Sequence, residues 1–220
     1  MTNKIDTWLR SLERTTAQTL RDGQVKTLWP RTLLDSIQTQ VNKEYGTTDL
    51  KWADPRSRPY KVATFLQGMV AKKLLRSDFT ILDLCCGDAM VLNHVARKFP
   101  ECKAYGTDIA KFDYHKLLVE NATVYGVALQ DVISFEPPAR IDVVMMLNTF
   151  RQWEHAGLTK EDAELPEWVE EWLRLYAHRS ILTATHRQIS SFRNKKWTVT
   201  EIGPGEGNSR LICTWPREEV

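Results

Sequence analysis

The sequence predicts an α/β fold: a mostly parallel sheet with helices on both faces, closed by an antiparallel hairpin and preceded by a helical extension. Three observations predict it. The first is the stretch Phe79 to Phe99, FTILDLCCGDAMVLNHVARKF. Its apolar run stops at Leu84, gives way to Cys85-Cys86-Gly87-Asp88-Ala89, and resumes with helical spacing at Leu92, Val95, Ala96 and Phe99. That pattern reads as a buried strand, a tight turn of small residues and an amphipathic helix. The second is another apolar stretch, Cys102 to Thr107, which ends in Asp108, 21 positions after Gly87. The third is the alternation of strands and helices downstream, including the almost continuously apolar Ile141 to Leu147. Such runs belong to strands buried on both faces, and alternation of this kind builds parallel sheets.

Taken in order, the chain opens with Ile5, Trp8, Leu9 and Leu12 on one helical stripe, closed by Asp22-Gly23. A second helix is expected from Pro30, pre-set for a first helical position, through Leu33, Leu34, Ile37 and Val41 to Gly46. Residues 47–58 are polar, carry Asp54-Pro55 and Arg58-Pro59, and read as a loop. A third helix, Pro59 to Leu75, lines up Val62, Phe65, Leu66, Met69 and Val70. The strands follow: Phe79 to Leu84, Lys103 to Thr107, a weaker one near Thr123 to Leu129, and Ile141 to Leu147. Pro166 opens a helix carrying Trp168, Val169, Trp172, Leu173 and Tyr176, and Ser180 to Ala184 is a fifth strand. Lys196 to Ile202 and Arg210 to Thr214 flank the glycine-rich run Gly203 to Asn208, which makes them a hairpin. The expected division is residues 1–58 as a helical extension and 59–220 as the core. The apolar stripes of the extension need a surface, either over the sheet's carboxyl edge as a lid or against a second subunit as a homodimer.

A chain of 220 residues with 42% hydrophobic and 26% charged residues is ordinary for a globular protein of one domain plus an extension. The formal charge of +2 leaves no electrostatic footprint of a dedicated nucleic-acid binder. No run of 18 apolar residues exists, and Lys4, Asp6, Arg10 and Glu13 interrupt the stretch where a signal peptide needs an apolar core. The expectation is a cytoplasmic protein with no membrane partner. Cys85, Cys86, Cys102 and Cys213 form no C-x-x-C pair, so no metal site is expected.

The turn at residues 85–89 has a chemical meaning. Small residues leave the backbone N–H groups and the following helix N-terminus open to a ligand. An acid at the tip of the next strand, about 20 positions on, is where a ribose hydroxyl pair is held in nucleotide-type sites. Asp108 occupies that place, with a helix N-cap as its plainer reading. The dinucleotide pattern G-x-G-x-x-G fails here, since its positions read Cys85, Gly87 and Met90. The alternative pattern, acid-x-small-x-Gly-x-small, is met by Asp83, Cys85, Gly87 and Ala89.

With the strand ending Gly106-Thr107-Asp108, these residues resemble the class I S-adenosylmethionine-dependent methyltransferases. The resemblance covers roughly Tyr60 to Pro216. The run DLCCG looks like variants among quinone-biosynthesis and other small-molecule methyltransferases, without assigning a subgroup. The chain departs from the family's pattern by carrying Cys85 for the first glycine and Ala89 for the last, both small. The resemblance implies a Rossmann-like, seven-stranded sheet and S-adenosylmethionine as cofactor, with S-adenosylhomocysteine as product. It gives Asp83 the amine of the methionine tail and the turn Cys85, Cys86, Gly87 and Asp88 the tail and ribose. Asp108 would accept both ribose hydroxyls, with Ile109 beside it. Asp131 would meet the adenine amino group, Val132 would pack the ring, and Asn148 would stand at the carboxyl edge facing the transferred methyl.

The loop after the fourth strand shapes the acceptor side. Phe150, Arg151 and Trp153, with Tyr60 from the third helix, are candidates for contacts to a small-molecule substrate. His155 could take a proton from a substrate hydroxyl or amine, its ordinary pKa lying near neutrality, though a loop histidine is more often surface. The segment Asn148-Thr149-Phe150-Arg151 lacks the Pro-Pro of methyltransferases that act on base amino groups. The expected activity is methyl transfer to a heteroatom or activated carbon of a small molecule. An RNA or protein methyltransferase and a non-catalytic binding module of the same fold are the alternatives, and a nucleotide-dependent oxidoreductase is disfavoured by the broken dinucleotide pattern. The basic cluster Arg56, Arg58, Lys61, Lys72, Lys73 and Arg76 speaks for the RNA alternative, or is a solvated helix face.

Overall fold

The computed structural model describes residues 4–21, 56–109, 118–147, 165–205 and 208–217. Their strands are β1 Thr80–Leu84, β2 Lys103–Thr107, β3 Ala122–Tyr125, β4 Ile141–Met146, β5 Ala177–Ala184, β6 Trp197–Pro204 and β7 Arg210–Pro216. Their helices are α1 Lys4–Arg21, α2 Arg58–Ala71, α3 Met90–Lys98, α4 Leu129–Ser134, α5 Glu167–Tyr176 and α6 His186–Asn194. The strands form one seven-stranded sheet in the order β3-β2-β1-β4-β5-β7-β6. β3, β2, β1, β4 and β5 pair in parallel, and β7 runs antiparallel to both its neighbours. The chain moves outward from β1 to β3, then crosses back to place β4 on the other side of β1. The carboxyl ends of β1 and β4 therefore flank the switch point, where open α/β sheets bind their ligands.

Both faces of the sheet are covered, which is why its central strands are apolar throughout. On one face, Val62, Leu66, Leu92 and Val95 of α2 and α3 pack with Ile81, Val143, Met145 and Ile181. On the other, Val169, Trp172, Ile189 and Phe192 of α5 and α6 pack with Leu82, Leu84, Val144 and Met146. Residues 143–146 thus point alternately into two cores, as strand geometry requires.

Most elements lie where the sequence puts them, and the differences have local causes. α2 stops at Ala71 rather than near Leu75, because Lys73 takes a left-handed conformation with φ of 59°. The Leu74 N–H then donates to Met69 O and the Lys73 N–H to Val70 O, both at 2.9 Å, which satisfies the carbonyls of the last turn. β3 ends at Tyr125, and the residues read as its continuation turn into the short helix α4. α6 was not expected, although Thr185 and Gln188 form a reciprocal capping box at its start. The expected helix over 30–46 lies outside the described residues.

Leu9 and Leu12 of α1, expected over the carboxyl edge as a lid or against a second subunit, pack within the chain just past the carboxyl end of β3. Ile5, Leu9 and Leu12 are buried in the same core as Leu82, Tyr105 and Tyr125. Polar contacts fix the helix there. Asp6 accepts a hydrogen bond from the Tyr125 hydroxyl, Glu13 accepts the Gly126 N–H at 2.9 Å, and Thr16 Oγ1 accepts the Ala128 N–H at 3.2 Å. The groups α1 satisfies are the backbone donors that follow β3, where no further strand covers that edge of the sheet.

Candidate functional site

β1 delivers Asp83 into the interior, in register with Gly106 of β2 and Met145 of β4. Asp83 is only 3% exposed, and its Oδ1 has no hydrogen-bond partner among the described residues. Burial lifts its carboxyl well above the usual carboxylate range, the charges of Asp88 and Asp108 add to this, and Arg58 opposes it. An unsatisfied acid in the sheet is expensive, so its retention calls for a partner that donates to it.

Beyond Leu84 the backbone turns through three left-handed residues set two apart: Cys85 with φ of 57°, Gly87 and Ala89 with 53°. Only glycine takes this conformation without steric cost, and an L-residue loses roughly 1–2 kcal/mol there. The two positions where the chain lacks the family's glycines are therefore those where glycine would relieve strain. The turn is held by its surroundings. The Cys86 N–H donates to Thr107 O at 3.0 Å, the Gly87 N–H to Asp108 Oδ2 at 2.9 Å, and the Met90 N–H to Asp88 Oδ1 at 3.0 Å. A Cβ placed on Gly87 would meet no described residue within 4 Å, so among the described residues the turn is open at its midpoint. A Cβ on Gly106 would sit 2.8 Å from Cys86 Sγ, so the turn and β2 are packed as closely as glycine permits.

Asp108 continues from β2, its N–H donating to Tyr125 O at 3.1 Å. One carboxylate oxygen accepts the Gly87 N–H, so Asp108 pins the turn from the strand tip. Ile109 follows it, half-buried. All four cysteines are free thiols, Cys102 and Cys213 buried and Cys85 and Cys86 half-buried. Burial raises each thiol's pKa, to about 11 for Cys102 and about 12 for Cys213, so none is poised as a thiolate.

The proposed adenine side has a different construction from the one the sequence suggested. Asp131 lies in the first turn of α4, 6% exposed, and one of its oxygens accepts a hydrogen bond from the Thr16 hydroxyl of α1. At most the other oxygen is left for a ligand. Val132 is fully buried in the core and has no surface to offer a ring. Tyr60 stands in the first turn of α2, whose Arg58 is close enough to Asp83 to pull its pKa down. Asn148, Phe150, Arg151, Trp153 and His155 lie outside the described residues. Sequence reasoning missed Thr16 and Arg58. Thr16 carried no signal, being 115 positions from the acid it meets, whereas Arg58 could have been suspected from the position of its helix just before β1.

The residues that are described fit the cofactor on two counts: Asp83 is a buried acceptor lacking a donor, and an open turn lies beside a strand-tip acid. No family model matches the chain, and no curated protein matches it either. Solved structures do match in fold. A TehB-like S-adenosylmethionine-dependent methyltransferase from Corynebacterium glutamicum superposes with a TM-score of 0.53 at 14% identity, over 84% of this chain and 100% of that one. The fold is that of the class I S-adenosylmethionine-dependent methyltransferases. WbdD, described as a bifunctional kinase-methyltransferase, matches with a TM-score of 0.54 at 14% identity, over 76% of this chain and 41% of its own. A second WbdD structure gives 0.53 at 16% identity, and this chain spans 43% of it. In the class I fold the switch point between β1 and β4 is occupied here by the Asp83 carboxyl end and the turn that follows it. Among the described residues no helix is long and apolar enough to cross a membrane.

Proposed function

We propose that this chain is an S-adenosylmethionine-dependent methyltransferase acting on a heteroatom or activated carbon of a small molecule. The observation that carries the reading is Asp83, a buried carboxylate with an unpartnered oxygen at the end of β1, beside a left-handed turn with open space before it. An ammonium group supplies the donor that oxygen lacks, and its charge offsets the cost of ionising a buried acid. Asp108 would meet the ribose hydroxyls at the strand tip, where it also keeps the turn in shape. When bound, the sulfonium supplies a methyl group on a good leaving group, so the chain's task is alignment more than acid–base chemistry. Orientation of this kind supplies up to about 7–11 kcal/mol of barrier reduction in well-ordered systems. Tyr60, Phe150, Arg151 and Trp153 remain the proposed substrate contacts, with His155 as the proposed base.

The near-neutral charge of +2 supports a small-molecule substrate over RNA, and the retained Asp83, Gly87 and Asp108 support an enzyme over a non-catalytic binding module that kept the fold and lost the activity. Calorimetry with S-adenosylhomocysteine tests the reading. The wild-type chain should bind, and Asp108→Asn should lose about 1.5–3 kcal/mol, the range for hydrogen bonds to a charged group. The amide keeps one oxygen for the Gly87 N–H, so the turn is preserved and the loss reports on the ligand. No binding by the folded wild-type protein overturns the proposal.

A further inference from the structure

The amino edge of the sheet, opposite the Asp83 turn, carries a second concave site. A cavity of about 610 Å³ opens there between the strand ends of β4 to β7, lined by Arg140, His178, Arg179, Thr198, Trp215 and Arg217 among others. Arg140 immediately precedes β4, His178 and Arg179 begin β5, Thr198 begins β6, and Trp215 and Arg217 end β7. The antiparallel β7 is what closes the ring of charges, since it brings the end of its strand to the edge where its neighbours begin. Thr198 and Trp215 are paired in the β6–β7 ladder.

Three arginines line this cavity, and no described carboxylate pairs with them. Among the described residues none of Arg140, Arg179 and Arg217 makes an ion pair. Arg140 is positioned by the carbonyls of Arg174 and Ala177, each 3.1 Å from one of its terminal nitrogens, at the end of α5. Carbonyls orient a guanidinium but do not neutralise it. Arg179 shares its strand face with the buried Ala177 and Ile181, and its buried Nε has no hydrogen-bond partner among the described residues. Asp142, the acid that acts on His178, spends an oxygen on the Thr80 N–H at 2.8 Å. His178 reports the local field: burial lowers its pKa first, Arg140 and Arg179 lower it further, and Asp142 opposes them. A buried guanidinium nitrogen without an acceptor is costly, and an anion in the cavity would supply one.

The geometry points to a binding site for an organic phosphate carrying at least two negative charges, seated on Arg140, Arg179 and Arg217 at the amino edge of the sheet. Guanidinium forks match phosphate oxygens two at a time, and three of them exceed what a single carboxylate needs. The cavity is larger than one phosphate and lies within the range of small-ligand pockets. Thr198 adds a hydroxyl, and Trp215 offers apolar surface to the organic part. The site is separate from the proposed cofactor site, so its occupation does not depend on methyl transfer.

Inorganic pyrophosphate is the probe. Titrated into the full chain under calorimetry at low salt, it should bind, and Arg217→Gln should weaken it about tenfold, the equivalent of ~1.4 kcal/mol. Arg217 is exposed, so its substitution leaves the fold intact, and Arg179→Gln is a second variant expected to lose at least as much. S-adenosylhomocysteine binding, measured on the same samples, should be unchanged in both variants, which separates this site from the other. The absence of pyrophosphate binding by the wild-type chain, or binding that both variants retain in full, overturns the proposal. A single-stranded RNA that binds in a way Arg217→Gln abolishes, where pyrophosphate does not, overturns it in favour of a nucleic-acid surface.

Discussion

Asp83 is held in a state that suits a bound cation and penalises its absence. Its folded-state pKa is raised, so it contributes stability below the ordinary carboxylate range and loses that contribution as pH rises through the folded value. Ionising this buried, half-satisfied side chain is a cost to the free protein. Asp83→Asn keeps the shape and removes the ionisation. The variant should melt higher than the wild type at pH 7, by about 1 kcal/mol of stability, with the difference shrinking as pH falls toward 4. It should also lose S-adenosylhomocysteine affinity. A variant that melts lower at pH 7 and still binds would show that Asp83 is satisfied by the protein and has no ligand role.

The elements divide by how much of their logic is local. β2 is legible because an apolar run bounded by polar residues has few alternatives, and α1 because Ile5, Leu9 and Leu12 recur at helical spacing. α4 is not, since six residues make too little periodicity to separate a helix from a strand's end. α6 could have been found from Thr185 and Gln188, but only Ile189 and Phe192 mark its apolar face. At the site, Asp83, Gly87 and Asp108 were legible because their spacing follows from a strand, a turn and the next strand. The role of Asp131 was not, because its partner Thr16 comes from an element that tertiary packing alone brings near. The placement of α1 has an energetic signature. Leu9 is fully buried, so Leu9→Ala should cost about 2–4 kcal/mol in urea unfolding, against less than about 0.5 kcal/mol for a loosely attached lid. A small cost would return the helix to the role the sequence first suggested.

The whole molecule has two chemically distinct ends on one sheet. The carboxyl edge carries the buried acid and the left-handed turn, and the amino edge carries three arginines that no described carboxylate pairs. The sequence shows the first because its residues are contiguous or one strand apart. It hides the second because Arg140, Arg179 and Arg217 come from separate strand ends and form no motif. The seven-stranded plan itself was readable, with its hairpin at one side, because each strand's pattern agreed with the alternation around it.

That plan also sets a clock on synthesis. β7 follows every other described strand in sequence, yet it lies inside the sheet, between β5 and β6. A nascent chain that has emerged only as far as residue 205 holds β1 to β5 in parallel order, while β5 and β6 each expose a long unpaired backbone edge. Such edges invite pairing with other chains until the final strand arrives. A stalled chain ending at 205 should therefore remain protease-sensitive and recruit chaperones, and release of residues 208–217 should convert it to the resistant form. If the stalled chain is already resistant, the first five strands mature without their closing partner.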